Sequence, residues 1–145
     1  MKALIQRSKH SSVSCEDTFN EIESGLVVLV GIHNDDTEDD VIKLANKVLN
    51  LRIFDDENGV MNKSILDVGG RILSISQFTL QADTKKGNRP SYINAMRGDD
   101  ANKLYELFNS KLNEQVKTLP GVFGEDMLVS IENDGPVTII LDTRS

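Results

Sequence analysis

A chain of 145 residues with 39% hydrophobic and 27% charged content carries enough apolar material for one globular domain with a real core. Its net charge of −7 and pI near 4.8 argue against broad, non-specific nucleic-acid binding, which needs many cationic phosphate contacts, but leave room for a local basic patch. A lone cysteine, Cys15, excludes an internal disulfide, the apolar run Leu26–Val30 is too short to cross a bilayer, and no signal peptide is visible, so a cytoplasmic protein without a membrane partner is expected.

Along the chain, "KALIQR" (2–7) reads as a strand and "SSVSC" (11–15) as its returning hairpin partner. "GLVVLVGI" (25–32) is short, apolar and β-branched, the pattern of a buried strand. Thr37 and Asp40 form a capping-box pattern, and Val41, Ala45, Val48 and Leu49 follow at helical spacing, which predicts an amphipathic helix over 38–50. "RIF" is a short extended segment and "DDENGV" holds the Asn-Gly pair of a tight turn. Gly69-Gly70 breaks the chain before "RILSISQFTL" (71–80), the strongest strand signal of the middle region. Pro90 suits the first turn of a helix, Gly98 interrupts that stretch, and Asp99 or Asp100 caps a second helix with Ala101, Leu104, Tyr105, Phe108 and Leu112 inside. "DMLVSIE" and "VTIIL" are the last strands. Between them Asn133-Asp134-Gly135-Pro136 reads as a hairpin turn whose Gly-Pro bond can be cis at modest cost. The order implies one α/β domain over 1–145, with a strongly curved, mostly antiparallel or mixed sheet and two main helical regions.

Conventional catalytic motifs are missing. There is no Gly-x-Ser-x-Gly elbow, His-Glu-x-x-His, Cys-x-x-Cys or Gly-rich phosphate loop. His10 and His33 lack triad or metal spacing, Cys15 reads as a packed hydrophobe, and the paired aspartates fall at helix starts and turns. No cofactor and no metal are expected. Ser76-Gln77-Phe78-Thr79 is the best polar cluster left, although Ser76 and Thr79 would equally satisfy neighbouring backbone and Gln77 face water. Lys85, Lys86 and Arg89 in "KKGNRPS" form the densest basic patch, which is either a solvated loop or a nucleic-acid contact.

Two of these stretches, "SQFTL" (76–80) and "NDGPVT" (133–138), resemble the signature motifs of the D-aminoacyl-tRNA deacylases, also called D-tyrosyl-tRNA deacylases. The likeness extends to "ALIQR", "RIFDDENGVMNKSILDVGG", "ADTKKGNRPS" and "FGEDMLVS", in the family's order over essentially the whole chain. "SKHSSVSCED" and "NAMRGDDA" depart from its usual form, outside the signatures. The resemblance implies a homodimer of barrel-like α/β subunits that hydrolyses the ester between a D-amino acid and the 3′ end of tRNA. It implies an active site at the dimer interface, with Ser76, Gln77, Phe78 and Thr79 lining the pocket of one subunit. Gly135 and Pro136, in cis, would reach in from the other, Arg7 holding that segment and Met127 lying beside the pocket.

For such a reaction the main-chain N–H groups of Phe78 and Thr79, fixed by the predicted strand, suit a developing oxyanion, and Ser76 and Gln77 can hold the terminal adenosine or orient their neighbours. Either the Thr79 hydroxyl attacks, which needs a base that is not evident, or water attacks with help from the ribose 2′-hydroxyl; what is known of the family favours the second. A Gly-Pro wall would exclude L side chains and admit D side chains or glycine, including glycyl-tRNA mischarged on tRNA-Ala. The rival readings are a nucleic-acid binding module on the same fold, a hydrolase of other aminoacyl esters and a structural homodimer.

Overall fold

Strand β1 (Lys2–Cys15) is the spine of the sheet in the computed structural model, which describes residues 1–145. Its first half pairs antiparallel with β3 (Gly25–Gly31), and its second half with β2 (Thr18–Ile22). Strand β8 (Leu128–Asp142) runs antiparallel along the other edge of β1. Beyond β3, β6 (Arg71–Ser76) and β7 (Thr118–Pro120) add in parallel. The Asn20 side chain of β2 donates to the Pro120 carbonyl of β7 at 2.7 Å. The two ends of the β2-β1-β3-β6-β7 order therefore meet, and the sheet is a nearly closed barrel.

Parallel neighbours need crossover connections, and the helices supply them. The β3-to-β6 crossover holds α1 (Glu38–Asn50), the small hairpin of β4 (Phe54–Asp55) and β5 (Met61–Lys63), and the single turn α2 (Ile65–Val68). The β6-to-β7 crossover holds α3 (Gly98–Asn113). Helix α1 starts where the capping pattern predicts, with the Thr37 N–H donating to the Asp40 carboxylate at 3.0 Å. That backbone bond, more than any other influence, lowers the Asp40 pKa.

Alternation along β3 divides the interior into two cores. Leu26, Val28 and Val30 face the helices and pack with Val41, Leu44 and Val48 of α1 and Tyr105 and Phe108 of α3. Val27 faces the barrel lumen and meets Val13, Ile22, Leu73 and Ile75. A buried Leu or Val contributes about 1.5–3 kcal/mol, so the helix-side core, the larger of the two, carries most of the stability.

Several expected elements differ. Residues 2–7 and 11–15 are one strand, not a hairpin, and the hairpin partner is β2. Register shifts between Gln6 and Ser8 and between Ser8 and Ser11 break the alternation. They turn Ser8 and Ser11 inward, where their hydroxyls bond each other; polar residues at buried positions disguised the continuity. The strand expected over 71–80 ends at Ser76. "DMLVSIE" and "VTIIL" belong to the single strand β8, so Asn133–Pro136 is an outward bulge and not a hairpin turn. No helix follows Pro90; the segment before α3 is a loop held by bridges at Asp83↔Ser91 and His33↔Ala95. No helix is long and apolar enough to cross a membrane.

Candidate active site

At the end of β6 the chain leaves the sheet and forms a 3-10 turn, Phe78–Gln81. The turn is tied to β3 at both ends. The Gln77 N–H donates to the Val30 carbonyl at 2.7 Å, and the buried Gln81 side chain donates to the Gly31 carbonyl at 2.9 Å. Such an approach needs glycine at position 31, where a Cβ would lie 2.8 Å from the Gln77 oxygen and 2.9 Å from the Leu80 Cβ. The amides of Leu80 and Ala82 donate to the carbonyls of Gln77 and Thr79 at 3.2 and 3.1 Å. Those of Phe78 and Thr79 come first in the turn and have no acceptor within it. These two amides were expected in a strand; they belong to a turn instead.

This turn forms one wall of a cavity of about 540 Å³, lined by Ser76, Gln77, Phe78 and Thr79 and, across from β6, by Phe123, Met127 and Val129. The Met127 sulfur is anchored by the Val122 N–H at 3.3 Å. Gln77 Nε2 donates to the Thr79 hydroxyl at 2.6 Å, and Thr79 has no side-chain hydrogen bond to an imidazole, amine or carboxylate that could act as its base. Behind the wall, the Tyr105 hydroxyl donates to the Ser74 carbonyl at 2.7 Å, and burial above all pushes its pKa up. The charged residues of the lining are Arg97, Glu125 and Asp126. No three His, Cys, Asp or Glu side chains cluster closely enough to hold a metal ion.

Gly135 and Pro136 do not line this cavity. They sit at the tip of the β8 bulge, both exposed, joined by a cis peptide bond. Gln6 pairs with Thr138 and Ser8 with Asn133, so a two-residue step on β1 faces a five-residue step on β8. Side chains hold the extra length. Asn133 Nδ2 donates to the carbonyls of Arg7 and Val137, both at 3.0 Å, while its Oδ1 accepts from Gln6 Nε2 and Thr138 Oγ1, again at 3.0 Å. Arg7 Nη1 donates to the Ile53 carbonyl at 2.8 Å, and its Nε lies 3.2 Å from the Asp134 carboxylate. That contact is an ion pair by distance without the alignment of a hydrogen bond. At Gly135 φ is +119°, and a Cβ would lie 2.8 Å from Val137 Cγ2 and 2.9 Å from its nitrogen.

The fold therefore brings Ser76, Gln77, Phe78, Thr79 and Met127 together in one cavity and gathers Arg7, Gly135 and Pro136 at a second place on the surface. Lys85, Lys86 and Arg89 lie at neither. They are exposed on the loop closed by the Asp83↔Ser91 bridge, Lys85 alone reaching a shallow depression shared with Lys2, His33 and Arg144. Sequence reasoning missed Asn133, Gln6 and Thr138, which brace the bulge, and Arg97 at the cavity. An asparagine placed directly before Asp-Gly-Pro was the available signal for the first; Arg97 gave none, since the nearer of its two aromatic neighbours, Phe78, lies far back along the chain.

The family model described as D-Tyr-tRNA(Tyr) deacylase matches residues 4–142. A D-aminoacyl-tRNA deacylase of Clostridium novyi (strain NT) is 55% identical over 146 residues, covering 99% of this chain and 98% of the relative. One of Staphylococcus carnosus (strain TM300) is 54% identical over 147 residues, covering 99% and 97%. Among solved structures, the c-Myc DNA Unwinding Element Binding Protein superposes with a TM-score of 0.93 at 40% identity, covering 99% of both chains. A probable eukaryotic D-amino acid tRNA deacylase shares the fold with a TM-score of 0.83 at 15% identity, covering 97% of both.

Proposed function

The chain belongs to the D-Tyr-tRNA(Tyr) deacylase family and is a D-aminoacyl-tRNA deacylase, a hydrolase; from that premise we propose that the ester is cleaved in the cavity at Ser76–Thr79 and that a second copy of the chain completes the site. The observation that carries the proposal is the pair of Phe78 and Thr79 amides presented at the cavity wall without acceptors in their own turn. Donors fixed before the reaction stabilise an oxyanion without the cost of reorganising. Ser76 and Gln77 hold the terminal adenosine, and Met127 packs beside it.

Water attacks the carbonyl, with the ribose 2′-hydroxyl of the tRNA assisting. The absence of a base bonded to Thr79 supports this over attack by its hydroxyl. The exposed Gly135–Pro136 corner of the partner subunit forms the wall that excludes L side chains, with Arg7 bracing it. Glycyl-tRNA, which has no side chain to exclude, is then cleaved as well. The enzyme acts as a cytoplasmic homodimer, and Lys85, Lys86 and Arg89 contact acceptor-stem phosphates.

A kinetic comparison of D-, L- and glycyl-tRNA tests the selection: D- and glycyl-esters are cleaved, and equal rates on L-esters would remove the exclusion wall. For the chemistry, a 2′-deoxy terminal adenosine binds but is not turned over, whereas Thr79→Ala keeps most activity. The reverse pattern would make Thr79 the nucleophile.

A further inference from the structure

We propose that Arg97 is the anion receptor of this cavity and takes the 5′-phosphate of the terminal adenosine, the phosphodiester nearest the ester that is cleaved. The inference rests on the deacylase reading of the cavity and adds to it the residue that recognises the nucleotide's charge.

The arginines of the chain are used in different ways. Arg7 and Arg144 are paired with carboxylates, and Arg52 donates to the Asn62 carbonyl at 3.0 Å. The side chains of Arg71, Arg89 and Arg97 make neither an ion pair nor a hydrogen bond, and of these three only Arg97 lines the cavity. Its guanidinium carbon lies 4.4 Å above the Phe78 ring and 6.0 Å from the centre of the Tyr92 ring, while the two rings meet edge to face at 5.2 Å. A guanidinium stacked by its face keeps its N–H donors at its edge, where they fit a phosphate or carboxylate. The Phe78 ring holds the guanidinium in place, and its N–H donors have no partner in the chain.

Arg97 is also the only cation in the cavity lining. The two carboxylates of that lining, Glu125 and Asp126, stand on the loop that carries Met127 and repel a phosphate from that side. Asp99 and Asp100 are exposed in the first turn of α3, and neither pairs with Arg97. The substrate is itself bipolar, with an ammonium on the amino acid and a phosphate on the nucleotide. A cavity cationic beside Phe78 and anionic along the 123–127 loop admits that molecule in one direction. Because Arg97 rests on Phe78, the phosphate it binds is referenced to the same turn that presents the oxyanion donors.

The test uses two small D-esters, one of adenosine and one of adenosine 5′-monophosphate, alongside D-aminoacyl-tRNA, with wild type, Arg97→Gln and Arg97→Lys. Arg97→Gln is expected to lower kcat/KM by about tenfold on both phosphate-bearing substrates, through KM with kcat held, the size of a lost charge-assisted hydrogen bond. On the adenosine ester it changes kcat/KM by less than about twofold, and Arg97→Lys recovers part of the loss. Equal losses on both esters would reduce Arg97 to a support for the Phe78 ring and overturn the inference, as would no loss on any substrate. Failure of the wild type to cleave any D-ester would instead overturn the deacylase reading of the cavity.

Discussion

The cavity wall at Ser76–Thr79 and the bulge at Asn133–Pro136 are built in opposite ways. The wall is tied to the buried strand β3 by a main-chain bond at Gln77 and by the buried Gln81 side chain, and faces a cavity of its own chain. The bulge departs from its strand, is held by the side chains of Asn133 and Arg7, and presents its tip to solvent. The wall offers two main-chain amides without acceptors in their own turn, beside a cavity. The bulge is a rigid projection with nothing in its own chain to act on. A side-chain framework of this size around an exposed corner is explained if the corner enters another copy's cavity.

The contrast predicts a graded series of losses. Phe78→Pro removes one wall donor, together with the ring beneath Arg97, at the first position of a helical turn, where proline is tolerated. Steady-state kinetics should show kcat down by roughly 10²–10³, as for loss of an oxyanion donor, with the melting temperature little changed. Gly135→Ala places a Cβ 2.8 Å from Val137 Cγ2 at a positive φ. It should cost on the order of 100-fold in kcat/KM by displacing the corner, while a near-wild-type rate would show that the corner's position is immaterial. Asn133→Ala leaves two carbonyls and two side chains without their shared partner. That should destabilise the protein by about 1–3 kcal/mol and lower activity about tenfold, read by denaturant melts and kinetics together. Asp134→Asn is the mildest, because an ion pair that is partly exposed is worth about 1 kcal/mol or less. A change beyond about threefold in kcat/KM would mean that the Arg7 contact matters more than its geometry indicates.

Much of this was legible in the sequence where the cause is local. The Thr37–Asp40 cap and the apolar face of α1 lie within one helix, and its bounds agree with the structure to the residue. The family and the barrel-like fold follow from motifs spread over the whole chain. What stayed hidden depends on distant partners. Phe78, Thr79 and Leu80 are acceptable strand residues, and only the close approach over Gly31 explains why they turn instead. Ser8 and Ser11 look like surface positions until the register shifts against β8 turn them inward. The role of Asn133 rests on Gln6 and Arg7, far away along the chain, and that of Arg97 on a ring at position 78.

In the proposed dimer one chain's wall works with another chain's bulge. The most direct measurement mixes two inactive proteins, Phe78→Pro and Gly135→Ala, under conditions in which subunits exchange. In a mixed dimer one site keeps both an intact wall and an intact bulge, so equal mixing restores about a quarter of the wild-type activity on D-aminoacyl-tRNA. If mixed dimers form, as shown by differently tagged subunits, and no activity returns, wall and bulge do not meet across subunits and the account is wrong.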